Sequence, residues 1–159
     1  MQQFDPNIPG LIQGDVTAVK VIDPASTFPP FEAGNRVLDR KKPFEIAVEW
    51  NVTGPLSPLW LFALRDSSWN VQAFAESLGG GPEILLARDD TVKPLFNVSD
   101  YSVTLNVAAL ALDEGDPGSN TSGIYKLVVS VFLDSPIGLP GFDMIGFNEG
   151  PIIQIEDPN

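Results

Sequence analysis

Catalytic chemistry usually depends on a few residue types, and two of the most useful are missing: the chain holds no histidine and no cysteine. A serine nucleophile is usually activated by an imidazole base, and no Ser-x-x-Lys stands in for one. Thiolate and imidazole metal sites are excluded on the same ground. Carboxylates remain. Glu45 and Glu49 share one face of a strand-like run, but at about 3.3 Å per residue they lie roughly 13 Å apart. A glycosidase pair needs about 5–5.5 or 6.5–9.5 Å. A hydrolase would therefore have to draw its two acids from different strands, and the expectation is that the chain is not an enzyme.

Two weaker constellations suit binding. Asp113, Glu114, Asp116 and Asn120 place hard oxygen ligands in one loop, as Ca²⁺ prefers, although the spacing is not that of an EF-hand. No other cofactor is expected. Trp69, in Asp66-Ser67-Ser68-Trp69-Asn70, falls at an expected turn and is the candidate for stacking a sugar. Gly79-Gly80-Gly81-Pro82 reads as a flexible turn, because no helix follows to present amides to a phosphate.

The elements that would position these residues follow from composition and periodicity. Hydrophobic residues make up 43% of the 159, enough for a core. The 15 prolines and 14 glycines are too many for a helical protein. Phe44, Ile46, Val48, Trp50 and Val52 alternate with polar or small neighbours, the period of two of a strand with one buried face. Tyr101 to Val107 and Tyr125 to Leu133 repeat it. Further strands are expected at 15–22, 59–65, 71–77, 83–87 and 151–156, with turn-forming clusters between them. The fold class is all-β, an antiparallel sandwich of about 7–9 strands. An extended N-terminal arm at 1–14 would precede a sandwich domain at 15–157 that carries a long apolar loop at 134–147.

The run Gly123-Ile124-Tyr125-Lys126-Leu127-Val128-Val129-Ser130-Val131 resembles strand F of an immunoglobulin-like domain. In that family a tyrosine near the start of the strand bonds back to upstream backbone, two residues before the second cysteine. The resemblance gives that role to Tyr125, with Leu127 at the cysteine position. Val48 would replace the other cysteine, and Trp60 would be the core tryptophan of strand C. Both cysteines are replaced, and Thr121 stands where many members have aspartate. The resemblance therefore implies an architecture and no subfamily.

Sandwich strands should turn polar residues outward, and two of these do not. If Trp60, Phe62 and Leu64 point inward, Leu59 and Leu61 point out; Val128 and Phe132 do the same on the proposed F strand. Leu139, Phe142, Met144 and Ile145 sit in the expected loop, where side chains are normally polar. A large exposed apolar surface marks an interface. The expected partner is a second copy or another protein subunit, and the expected role is structural: a self-associating component of a surface or extracellular assembly. The alternative is a module that binds carbohydrate or calcium.

The net charge of −12 repels phosphate backbones, so nucleic acid is not an expected partner. No apolar run reaches the roughly 18 residues needed to span a bilayer. Residues 1–6 have neither the basic start nor the apolar stretch of a signal peptide. Asn51, Asn97 and Asn120 each begin an Asn-x-Ser/Thr sequon, which matters only in a host that glycosylates.

Overall fold

Ribbons with one apolar face are stable only when two such faces meet, and the alternating stripes do so here. The computed structural model describes residues 3–23, 37–81, 83–115, 122–136 and 140–157. Among them nine strands and one short helix follow in order: β1 (Gln3–Asp5), β2 (Gln13–Ile22), β3 (Val37–Asp39), β4 (Phe44–Thr53), α1 (Ser57–Ala63), β5 (Trp69–Ser77), β6 (Glu83–Val92), β7 (Asp100–Val107), β8 (Ile124–Leu133) and β9 (Met144–Glu156). One sheet has the order β2-β4-β7 and the other β1-β9-β8-β5-β6. The short β3 pairs in parallel with the far half of β9, from Gln154 to Glu156; β1 pairs antiparallel with its near half. The fold is an all-β sandwich.

The inner faces form the core. Ile46, Val48 and Trp50 of β4 meet Val71, Ala73 and Ala75 of β5, and Tyr125, Leu127, Val129 and Val131 of β8, all within 1% of full burial. Residues 3–12, at the start of the segment read as an arm, form β1 and a turn closed by an Ile8–Ile12 bridge. Ile12 is fully buried. The Phe4 ring lies where a Cβ at Gly14 or Gly146 would collide with it, so glycine at both positions lets β1 close down on the sheet.

Two expectations fail for identifiable reasons. The strand expected at 59–65 is α1. Every residue from 59 to 64 is apolar, so period alone cannot decide between strand and helix. Pro58 sits in the first turn, where its missing N–H costs nothing. Ser57, Leu61 and Leu64 then fall inward at helical spacing. The loop expected at 134–147 ends earlier than expected, because β9 begins at Met144. Leu133 pairs with Met144 and Phe132 with Ile145, which continues the hairpin into residues that Gly146, Gly150 and Pro151 made look irregular.

At the end of the sandwich away from α1, a charged clasp ties three segments together. Arg40 Nη2 lies 2.9 Å from Asp113 Oδ1 and its Nη1 3.6 Å from Asp157 Oδ2, while Lys41 Nζ lies 2.6 Å from Asp157 Oδ1. The hydrogen bond from Lys41, then the attraction of Lys41 and Arg40, holds the Asp157 carboxyl below its ordinary value of 3.8. The same bond raises the Lys41 ammonium above its ordinary 10.5. A depressed carboxyl contributes stability above its unfolded value, and that contribution is lost as pH falls through the folded one. A raised ammonium contributes below its unfolded value and loses it as pH rises through the folded one. The clasp is thus intact at neutral pH and opens in strong acid or strong base. A carboxyl-carbon NMR titration should give Asp157 a midpoint below 3.8, and Lys41→Met should move it back toward that value. An unmoved midpoint would remove Lys41 as its partner. Trp69→Ala, which removes a tryptophan side chain that is 0% exposed, should lower unfolding free energy in urea by about 3–5 kcal/mol.

Candidate functional site

Two tyrosines organise the loops at opposite ends of the sandwich. Tyr125, at the start of β8, accepts a hydrogen bond from the Asp113 N–H (3.2 Å) and donates one to the Asp113 carbonyl (2.8 Å), a back-bond of the kind expected of it. Tyr101, at the start of β7, accepts from the Leu95 N–H (3.1 Å) and donates to the Val98 carbonyl (2.9 Å). Burial pushes the Tyr101 hydroxyl pKa up, against the opposing effect of its bond to the Leu95 backbone. Its ring stacks on Trp50 at 5.7 Å, and Trp69 meets both rings at 5.6–5.7 Å.

This arrangement corrects the two tryptophan assignments. Trp69 is 0% exposed, because the register of β5 against β8 begins at Trp69 and puts it on the inner face. It offers no surface to a sugar ring. Trp60, expected in the core, is half-buried on α1. Its Nε1 donates to the Phe142 carbonyl (2.9 Å) and its ring lies 5.5 Å from that of Phe142.

The proposed cation loop is only partly described. The Asp113 carboxylate is taken by Arg40 and its backbone by Tyr125. Glu114 is half-buried, and Asp116 and Asn120 lie outside the described residues. Among the described residues no group of three His, Cys, Asp or Glu side chains is placed to hold a metal ion.

The apolar residues assigned to an interface divide into three groups. Leu61 and Met144 are core residues, at 1% and 0% exposure: Leu61 faces inward once 57–63 is a helix, and Met144 once β9 starts there. Both are withdrawn from any surface. Leu139 lies outside the described residues. The remaining five fall on two separate surfaces, because the neighbour of β8 is β5 and not the 59–65 segment.

The first surface is the outer face of the large sheet. Phe132 faces Ile145 on one side and Asn70 on the other; Ser130 faces Phe147; Val128 faces Phe74, which in turn faces Leu85 of β6. A shallow depression of about 310 Å³ lies between Asn70, Gln72, Ser130, Phe132, Ile145 and Phe147. Two ion pairs lie on the face, Lys126 to Glu149 at 3.0 Å and Arg88 to Asp90 at 3.5 Å, while Glu76 and Glu83 stand opposite each other across β5 and β6. The hydrogen bond from Lys126, ahead of its simple attraction, lowers the Glu149 carboxyl pKa. Phe74 and Leu85 lie in strands expected at 71–77 and 83–87, but alternation alone does not say which strands are neighbours; Phe147 was expected in a loop and lies on β9.

The second surface is the α1 end of the sandwich, where Leu59 is 66% exposed and Phe142 is exposed too. The register of β4 with β2, β5 with β6, and β8 with β9 brings the 6–12 turn, α1, the 93–99 segment, and residues 134–136 and 140–143 to this one end. They are cross-tied. Leu56 N–H donates to the Leu11 carbonyl (3.0 Å), Lys93 to the Ser67 carbonyl (3.2 Å), and the Ser67 hydroxyl to the Asp134 carbonyl (2.5 Å).

No family model matches the chain, and no curated protein is similar to it. Its reading therefore rests on its own geometry. Among the described residues no helix is long and apolar enough to cross a membrane.

Because the Tyr101 hydroxyl holds the middle of the 93–99 segment, between the ties at Lys93 and Ser99, Tyr101→Phe should cost about 1–2 kcal/mol. It should also raise amide hydrogen exchange at Leu95 and Val98 while leaving β8 protected. Uniformly raised exchange would mean that the hydroxyl supports the whole fold and not this segment.

Proposed function

We propose that this chain is a non-enzymatic interaction module of the immunoglobulin-like kind that self-associates through the outer face of its large sheet, as a component of a surface or extracellular assembly. The observation that carries this reading is the outer face itself. An exposed sheet should turn polar side chains to water, yet Leu85, Phe74, Val128, Phe132, Ile145 and Phe147 run across four strands. Strands about 4.8 Å apart and some nine residues long make a face of roughly 600 Å² in projection. Side-chain relief brings that near the ~800 Å² per partner of a standard specific interface.

Charge restricts where on this face a second copy can sit. Two molecules at −12 each repel, so self-contact is best tolerated where carboxylates are already paired. Glu149 and Asp90 on this face meet that condition, and Glu76 and Glu83, opposite each other at its far end, do not.

The architecture supports the immunoglobulin-like part of the reading. The β2-β4-β7 sheet has the strand membership of A, B and E, and β9-β8-β5-β6 that of G, F, C and an added C′ strand. Trp69, on the strand that corresponds to C, takes the core-tryptophan role expected of Trp60. The Tyr125 back-bond falls at the start of the F counterpart.

Sedimentation velocity over about a hundredfold range of concentration tests the self-association. The mass should rise from 17.1 kDa toward twice that value. Phe147→Glu or Leu85→Lys should shift the midpoint by at least about tenfold without changing the circular dichroism. A chain that stays at 17.1 kDa throughout would overturn the reading.

A further inference from the structure

The α1 end carries a second apolar surface whose charge differs from that of the sheet face. Leu59 and Phe62 point outward from α1 at 66% and 50% exposure, Leu95 and Phe96 from the 93–99 segment at 50% and 58%, and Phe142 from the turn before β9 at 42%. Surface leucines and phenylalanines are ordinary when scattered. Here three separate connections bring them to one end, and the cross-ties between those connections hold the end in shape, so little order remains to be gained when a partner docks.

The rim of this end is acidic. Asp66 follows α1, Asp100 opens β7, Asp134 follows β8 and Asp143 precedes β9. Among the described residues no Lys or Arg forms an ion pair with any of the four. Two cations also sit at this end, neither bonded to a carboxylate: the Arg65 guanidinium lies 4.4 Å from the centre of the Phe62 ring and donates to the Phe62 carbonyl (3.0 Å), and Lys93 donates to the Ser67 carbonyl (3.2 Å). Five of the described cations, Lys20, Arg40, Lys41, Lys42 and Lys126, lie toward the far end. The α1 end therefore sets apolar side chains beside four aspartates that no cation pairs, of which Asp143 accepts the Ser135 N–H (2.7 Å), against the two cations Arg65 and Lys93.

From this complementarity we infer that the α1 end is a docking site for a cationic, amphipathic polypeptide segment, whose apolar side chains meet Leu59, Phe62 and Phe96 and whose Lys or Arg residues meet the aspartates. A second copy of this chain is disfavoured there, because two such ends would set carboxylate against carboxylate. A lipid surface is disfavoured too, since the same carboxylates would be driven against headgroup phosphates. The surface is distinct from the sheet face, and the inference holds whether or not the dimer forms.

Fluorescence anisotropy with the full chain tests it, using a labelled synthetic amphipathic helix of lysine and leucine and its glutamate-for-lysine counterpart. The lysine peptide should bind and the glutamate peptide should not. The double variant Leu59→Ser, Phe96→Ser should weaken binding by about tenfold or more, as should Asp66→Asn with Asp134→Asn, while Phe147→Ser on the sheet face leaves it unchanged. The charge variant decides the matter if the apolar double variant loses its fold. Equal binding of both peptides, or undiminished binding by a folded α1-end variant, overturns the inference. So does co-flotation of the chain with phosphatidylcholine vesicles in place of peptide binding, which would identify lipid as the occupant.

Discussion

The enclosure of Trp69 between Trp50 and Tyr101 is the contact on which the rest depends. Trp50 and Tyr101 are paired across β4 and β7 in the small sheet, and Trp69 opens β5 in the large one. Their rings therefore form a joint between the two layers, with centroids 5.6–5.7 Å apart and edge-on or stacked contacts. Such pairs gain more than their buried area alone supplies. The joint sits at the α1 end. Because the Tyr101 hydroxyl is also bonded to Leu95 and Val98, the packing that closes the sandwich is continuous with the packing that presents the 93–99 segment to solvent.

The two ends are fastened by different physics. The buried aromatic joint holds the α1 end together with hydrogen bonds to backbone carbonyls from Trp60, Ser67 and Lys93. The far end relies on Arg40 and Lys41 reaching Asp113 and Asp157 across exposed ground, where each pair contributes little and salt screens it. At the α1 end, Asp66, Asp100, Asp134 and Asp143 have no such ion pair among the described residues.

Much of the β framework was legible in the chain. The stripes from Phe44 to Val52, Tyr101 to Val107 and Tyr125 to Leu133 needed no tertiary information, because alternation with polar residues admits one face inward and one outward. The surplus of apolar side chains on the outer face of β8, Val128 and Phe132 above all, was visible for the same reason. What failed was local ambiguity. The all-apolar run from Leu59 to Leu64 carries no period, so its inward residues were misjudged, and with them the identity of the core tryptophan. Met144 and Ile145 looked like loop because the glycines and proline that follow are usually breakers. In the fold, Gly146 instead makes room for the Phe4 ring and Gly150 for Val19.

The chain by itself settled the class of structure and the absence of imidazole and thiol chemistry, since residue type and period are properties of the sequence alone. Only the tertiary structure decided which apolar side chains share a surface. Register sets Phe74 beside Val128 and Leu85, and hairpin closure carries α1, Phe96 and Phe142 to one end, although more than forty residues separate the helix from Phe142 in the chain. Proximity between strands distant in sequence arises from how the ribbons pair, and no local pattern records it.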